Sequence, residues 1–163
     1  MDNITIERIG KAHPIIRESL LKEYQEINNR LPKGVRLRFA YVLRTPEEQD
    51  ALYKKKPKVT NAKAWQSIHN YGLAFDIVLL YDKDGNGTFE SISYDVKDKH
   101  WIDVTNYFKS KGWECGADWK TFKDAPHFQK AFGLSWKQMK AMIDAGKFIT
   151  QNGVKYIKIE ELN

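Results

Sequence analysis

The sequence predicts an α+β fold, a single domain with a small central antiparallel sheet flanked by helices. Two kinds of apolar pattern support this prediction. In some segments apolar residues recur every three or four positions, as in a helix, and in others they recur at every second position, as in a strand. The two kinds follow one another in mixed order with short connections, which favours an antiparallel sheet. A chain of 163 residues is long enough for one hydrophobic core, and no linker or internal repeat divides residues 1–163.

Four helices are predicted from apolar spacing and end signals, and they cover about residues 13–31, 45–53, 101–110 and 135–146. In the first, Pro14 suits the opening turn and the apolar residues form one stripe. Thr45 and Ser135 have the spacing of capping boxes, each with glutamate or glutamine three residues later. These signals set where the helices begin.

Alternating residues predict the strands. Residues 36–44 place Leu37, Phe39, Tyr41 and Leu43 on one face, so this segment should be a half-buried strand. An apolar run over residues 73–80 predicts the central strand, and residues 89–94 predict another. Asn152-Gly153 between β-prone segments is a strong hairpin signal.

Charge and cysteine content restrict the environment. The formal charge is 27 − 21 = +6, so the surface attracts polyanions, but the lysines are scattered and no recognition motif predicts a nucleic-acid partner. Cys115 is the one cysteine, so no internal disulfide forms. The first residues lack the pattern of a signal peptide and no apolar run is long enough to predict a membrane span, so we expect a monomer that is synthesised in the cytoplasm and does not insert into a membrane.

The chemistry centres on Asp76, which sits in an apolar run seven residues after His69. A buried carboxylate needs a cation, and imidazole with carboxylate suits zinc. The best candidate for a third ligand is His127. Catalytic zinc sites have three protein ligands and keep the fourth position open for water. Asp124, three residues before His127, would then stand beside the metal-bound water as general base. On residue chemistry alone, histidines with structural roles are an equal alternative.

Four blocks, taken together, resemble the LAS-type zinc peptidases of family M15. They are residues 59–76 with Ser67-Ile68-His69 and Phe75-Asp76, Arg44–Gln49, Gly116–Lys120, and Asp124–Gln129. The order also matches, from about residue 12 to residue 130. The resemblance is greatest to the L-alanyl-D-glutamate peptidases found as phage endolysins and bacterial cell-wall hydrolases, and it extends to VanY-type D-alanyl-D-alanine carboxypeptidases.

The resemblance implies a hedgehog/DD-peptidase-like fold and a zinc peptidase that acts on the peptidoglycan stem peptide. It implies His69, Asp76 and His127 as zinc ligands and Asp124 as the base. Arg44 is expected to hold a substrate oxygen, and the predicted substrate-binding residues are Ser67, Gln49, Asp118 and Trp119. For Ser67, orientation of His69 is an equal alternative. No separate wall-binding domain is predicted, and the enzyme would reach the wall after release, for example through a holin lesion.

Three alternatives remain open from the sequence. A D-alanyl-D-alanine carboxypeptidase would use the same ligands, and a non-catalytic wall-binding module would keep the fold without needing a base. The segment with Asp82, Asp84 and Asn86 has the spacing of a calcium loop, but Ser93 occupies the position of the bidentate glutamate. A plain acidic turn is the alternative to a Ca²⁺ site there.

Overall fold

The structure is a computed structural model, and it describes residues 1–160. The helices are α1 (Asn3–Ile9), α2 (Pro14–Arg30), α3 (Pro46–Tyr53), α4 (Lys99–Ser110) and α5 (Trp136–Asp144). The strands are β1 (Val35–Tyr41), β2 (Ala74–Tyr81), β3 (Ser91–Ser93), β4 (Glu114–Cys115), β5 (His127–Gln129), β6 (Phe148–Gln151) and β7 (Val154–Ile157). Two short 3-10 helices cover Ile68–Tyr71 and Gly116–Asp118.

An antiparallel sheet forms the centre of the molecule, as predicted. Its order is β1-β2-β5-β4, and β3 also pairs with β2. The central strand β2 is the predicted apolar run, and it pairs with β1 along most of its length and with β5 at its first residues. Strands β6 and β7 form the predicted hairpin at Asn152-Gly153, both of which have positive φ angles.

Phe75 lies at the centre of the hydrophobic core. Its ring stacks on Phe39 at 4.2 Å and on Phe128 at 5.2 Å, and meets Phe108 and Trp113 edge-on. Because β1, β2 and β5 each supply one of the stacked rings, the cluster ties three strands to α4. Side chains alternate across a strand, so Asp76 faces away from this cluster.

The strand predicted over residues 36–44 ends earlier than expected and changes face. Phe39 pairs with Ile77 but Tyr41 pairs with Asp76, so Ala40 is an extra residue in β1. This bulge reverses the alternation beyond it. Tyr41, predicted to share a face with Leu37 and Phe39, is 51% exposed although those two are buried, whereas Val42 is 1% exposed. The prediction for Tyr41 was therefore wrong.

Helix α1 was not predicted, and a buried polar cluster fixes it to the sheet. Asp2, only 2% exposed, accepts hydrogen bonds from both Nε and Nη2 of Arg38 on β1 at 2.9 and 2.8 Å. Thr5 donates to Asp2 at 2.6 Å and accepts from the backbone of Phe39. Polar residues near a chain terminus gave no sequence signal for such burial.

The other helices begin and end close to their predicted residues. Thr45 and Ser135 both form complete capping boxes. The strand predicted over residues 89–94 is reduced to Ser91–Ser93. None of the helices among residues 1–160 has the length and apolar content that crossing a bilayer requires.

We predict that Asp2→Asn lowers the free energy of unfolding at pH 7 by about 2 kcal/mol, the usual contribution of a hydrogen bond to a charged group. Burial raises the pKa of Asp2, but hydrogen bonds from Arg38 and Thr5 outweigh it and bring the pKa below its ordinary value. Because the folded-state pKa is depressed, this stabilisation is complete above the unfolded-state pKa and is lost as the pH falls through the folded-state value.

Urea unfolding of wild type and Asp2→Asn between pH 7 and pH 3 measures this difference. It should be constant at neutral pH and should shrink at the acidic end. Glu18→Gln serves as the control, because Glu18 pairs with Lys22 on an exposed surface and its loss should change stability very little. Equal stability of wild type and Asp2→Asn at pH 7 would contradict the prediction.

Candidate metal centre

Two neighbouring strands and one turn bring the three predicted ligands together. Asp76 on β2 pairs directly with His127 on β5, and His69 lies in the 3-10 helix that precedes β2. One ligand atom from each of His69, Asp76 and His127 lies within 4.8 Å of the others. Within residues 1–160, these three side chains form the one group of histidine, cysteine or acidic residues that could hold a metal ion.

Each histidine is oriented by a hydrogen bond on its outer side. Nδ1 of His69 lies 2.8 Å from the carbonyl oxygen of Val42, which can only accept, so Nδ1 carries the proton. Nε2 of the same ring is then unprotonated, and its lone pair points toward Oδ1 of Asp76 at 3.2 Å. Val42 itself is buried and follows the bulge in β1.

His127 is held in the opposite sense. Its Nε2 lies 2.8 Å from Oε1 of Gln129, and its Nδ1 lies 3.1 Å from Oδ1 of Asp76. Gln129 donates its amide nitrogen to Glu114 at 3.1 Å, which fixes the amide with its oxygen toward His127. With neutral rings, two imidazole lone pairs and a carboxylate face one another, and this arrangement requires a cation between them.

Electrostatics at the centre favour that cation. Burial raises the pKa of Asp76, but the adjacent His69 and His127 hold it well below its ordinary value. Burial lowers the pKa of His127, but the hydrogen bond to Asp76 and the charge of Asp76 together outweigh burial, so the pKa lies above its ordinary value. Protons and a metal ion therefore compete for the same position, and metal binding would release protons.

Asp124 stands at the same cleft, and a glycine makes room for it. Its backbone nitrogen bonds to the carbonyl oxygen of Gly116 at 3.0 Å. A Cβ atom at Gly116 would lie 2.2 Å from the carbonyl oxygen of Asp124, so only glycine permits this approach. Partial burial, and secondarily the charge of Asp76, raises the pKa of the Asp124 carboxyl above its ordinary value. A raised pKa suits a general base.

Arg44 reaches the cleft from the segment between β1 and α3. Its guanidinium lies 5.1 Å above the ring of Tyr41, and its Nη1 donates to Oε1 of Gln49 at 3.1 Å. Its Nε is buried without a hydrogen-bond partner among residues 1–160, and it forms no ion pair with a carboxylate of that range. Arg44 therefore keeps donors for an anionic or carbonyl oxygen.

Gln49 was predicted to bind substrate, but the structure places it beneath the cleft. Its side chain is fully buried, with Nε2 bonded to the carbonyl of Ala62 at 2.9 Å. Its Oε1 accepts from Arg44 and from Asn70. Gln49 thus holds Arg44 in place and has no surface left for a ligand.

The remaining predicted substrate residues divide between the cleft and the surface. Ser67 lines the cleft and its hydroxyl accepts from the backbone nitrogen of His69 at 3.3 Å, which supports the orienting role. Trp119 also lines the cleft, with its ring 5.3 Å from that of His127. Asp118 points elsewhere and pairs with Lys109 at 2.7 Å, so the structure does not place it at the site.

The acidic turn and the cysteine lie away from this chemistry. Oxygens of Asp82 and Asp84 accept backbone hydrogens from Asn86, and Asp82 also accepts from Gly87. These bonds account for the turn without Ca²⁺, and among residues 1–160 the side chains grouped for a metal ion are His69, Asp76 and His127 and not those of this turn, so calcium is not supported. Cys115 is buried, and burial raises the pKa of its thiol, which suits a core residue.

Glu114 and Gln129 were missed as site residues. Glu114 accepts from Gln129 and also from the indole nitrogen of Trp119 at 2.9 Å. One signal was present in the sequence, because Gln129 follows His127 by two residues and shares its face of a strand. Glu114 gave no comparable signal, since its contact depends on the pairing of β4 with β5.

The cleft formed by these residues is open and has a volume of about 440 Å³. Its lining combines the three ligands with Arg44, Asp124 and Trp119. A site with two imidazole nitrogens, one carboxylate and room beside them matches catalytic rather than structural metal sites.

Comparisons with known proteins agree with this geometry. Residues 60–130 match the model of a peptidase family M15 group described as D-alanyl-D-alanine carboxypeptidase. The chain is 36% identical over 125 residues to the peptidoglycan L-alanyl-D-glutamate endopeptidase CwlK of Bacillus subtilis strain 168, covering 72% of each chain.

A solved structure shares the fold. The L-Ala D-Glu endopeptidase ChiX of Serratia marcescens superposes with a TM-score of 0.51 at 23% identity, covering 79% of this chain and 87% of that one. The predicted fold class is confirmed by this match and by the antiparallel sheet. With the ligand geometry and the identity to CwlK, it follows that the chain belongs to peptidase family M15.

Proposed function

We propose that the protein is a zinc-dependent peptidoglycan endopeptidase that hydrolyses the L-alanyl-D-glutamate bond of the stem peptide. The observation that carries the proposal is the convergence of His69, Asp76 and His127 beside Asp124 in an open cleft. The donor set of two nitrogens and one carboxylate oxygen suits Zn²⁺. The bond is taken from the relatives that are named as L-alanyl-D-glutamate endopeptidases.

The chain's own residues supply binding and proton transfer. When bound, zinc would polarise the scissile carbonyl and lower the pKa of water from about 15.7 toward roughly 7. Arg44 donates hydrogen bonds to an oxygen of the substrate, and Gln49 keeps its guanidinium aimed at the cleft. Asp124 accepts the proton of the attacking water and passes it to the leaving amine.

A second candidate is a D-alanyl-D-alanine carboxypeptidase, favoured by the description of the family model that matches residues 60–130. Both reactions would use the same ligands and the same base, and they differ in the bond that is placed at the centre. A non-catalytic wall-binding module has less support, because it has no need for Asp124 beside the ligands.

We also propose a lysin role for a monomer, with synthesis in the cytoplasm and action on the wall after release, as for a phage endolysin. The formal charge of +6 supports it, because a basic protein is attracted to acidic wall polymers.

We predict that Asp124→Asn lowers the rate of cleavage by a factor of about 100 to 10,000, the usual contribution of a general base. The amide keeps the size of the side chain but cannot take a proton. Release of new amino termini from purified peptidoglycan measures the effect. New N-terminal D-glutamate identifies the endopeptidase, and free D-alanine identifies the carboxypeptidase.

Zinc content and chelation separate chemistry from metal loss in the same assay. Asp124→Asn should bind zinc as wild type does, and EDTA should abolish wild-type cleavage until zinc is restored. If zinc-loaded wild-type protein releases no product from several types of cell wall, the proposed enzymatic activity is refuted and the wall-binding module remains.

We predict that Gln129→Leu weakens zinc affinity by about 10- to 100-fold, the usual cost of losing a partner that orients a ligand. Leucine cannot accept the proton of His127 Nε2, so the ring is no longer held with Nδ1 inward. Competition with a chromogenic chelator measures the affinity. Gln25→Leu on α2 is the control and should bind zinc normally, and equal affinities of all three proteins would contradict the assignment.

A further inference from the structure

A second pocket, the basic pocket, adjoins the catalytic cleft. It has a volume of about 460 Å³, and Arg8, Lys11 and Arg17 supply its positive charge. Tyr41 lines both the basic pocket and the catalytic cleft, so its exposed ring separates the two. The volume lies in the usual range of small-ligand sites.

The cations of the basic pocket are not neutralised by the protein. Among residues 1–160, no carboxylate forms an ion pair with Arg8, Lys11 or Arg17, whereas Arg30 and Arg38 are both paired. Glu48 is the one acidic residue in the lining, and its carboxylate belongs to the capping box of α3. Three cations therefore face one carboxylate that already has a hydrogen-bond partner.

Backbone carbonyls hold both guanidinium groups in place. Arg8 donates from Nη1 to the carbonyl of Phe39 at 2.7 Å. Arg17 donates from Nε and Nη2 to the carbonyl of Ala12 at 3.1 and 2.8 Å. A guanidinium has five N–H donors, so each keeps several for a ligand. A fixed planar fork is well suited to a carboxylate.

The C-terminal hairpin closes the pocket. Gln151, Asn152 and Val154 contribute lining, and the hydroxyl of Tyr156 donates to the carbonyl of Lys11 at 2.8 Å. The pocket is therefore built from the N-terminal helices, the segment of residues 40–48 and the C-terminal hairpin, all outside the matched residues 60–130.

We propose that the basic pocket binds the C-terminal carboxylate of the stem peptide, on the part released with D-glutamate. The inference rests on the proposed endopeptidase function. On the other side of the scissile bond, L-alanine leads through an amide to a neutral lactyl ether of the sugar. Free carboxylates occur only on the released side, so the three cations orient the substrate with its C-terminal end across Tyr41.

The test compares two N-acetylated synthetic stem tetrapeptides that end in D-alanine, one with a free C-terminal carboxylate and one with a carboxamide. Zinc-loaded wild type should cleave the carboxylate peptide with about tenfold higher kcat/KM, mainly through KM, because the contact lies away from the reacting atoms. Arg17→Gln and Lys11→Gln should each remove most of this preference and leave the carboxamide rate unchanged.

Lys11→Gln guards against a folding defect, because no hydrogen bond or ion pair of the Lys11 side chain is present among residues 1–160. Lys33→Gln is the charge-matched control, since Lys33 is exposed and outside the pocket, and it should keep the full preference. Equal cleavage of the two peptides by wild type would overturn the inference while the endopeptidase stands.

Two further arms remove the remaining ambiguities. If wild type cleaves neither peptide, the proposed function fails, and calorimetric binding of the same peptides to the zinc-loaded protein still tests the pocket. Preferential binding of the carboxylate form, lost in Lys11→Gln, would support it. If instead Lys11→Gln slows cleavage only of walls that carry phosphate polymers, the pocket binds phosphate and the carboxylate assignment is wrong.

Discussion

The position of Asp76 between two imidazole rings is the interaction on which the site depends. His69 and His127 both approach the same oxygen of Asp76, at 3.2 and 3.1 Å. Each ring has its other nitrogen engaged, by Val42 and Gln129 respectively. The protein therefore fixes the direction of three ligand atoms before any cation arrives, and preorganisation of this kind strengthens binding because little ordering remains to be done.

The hydrophobic core maintains that geometry through strand register. Phe75 packs into the aromatic cluster on one face of β2, so Asp76 must lie on the other face. A slip of one residue would exchange the two and bury the carboxylate among aromatic rings. The same register of β2 and β5 pairs Phe75 with Phe128 in the core and Asp76 with His127 at the metal centre. The core and the metal centre thus select one alignment of β2 and β5.

The structure brings the three predicted ligands together, and the signals for His69 and Asp76 are local. An aspartate in an apolar run, a histidine before it and a capping residue are all visible in a short window. The failures depended on contacts between distant segments. The extra residue at Ala40 reversed the face of Tyr41, and Gln49 and Asp118 were placed at the substrate by motif although their partners are Arg44 and Lys109. The role of Glu114 required the pairing of β4 with β5.

Metal chemistry and substrate selection are encoded in different parts of this chain. The three ligands and Asp124 all lie within residues 60–130, the part that matches the family model. The cations of the basic pocket come from α1, α2 and the turn between them, and the wall opposite comes from β6 and β7. A ligand set of this kind activates water whichever amide bond is presented to it. The bond that is cut must then be chosen by groups that recognise the rest of the substrate, and the unpaired cations beyond Tyr41 are placed to do this. In this chain the cations of the basic pocket lie outside β2 and β5, so they could change while the register that aligns Asp76 with His127 is kept.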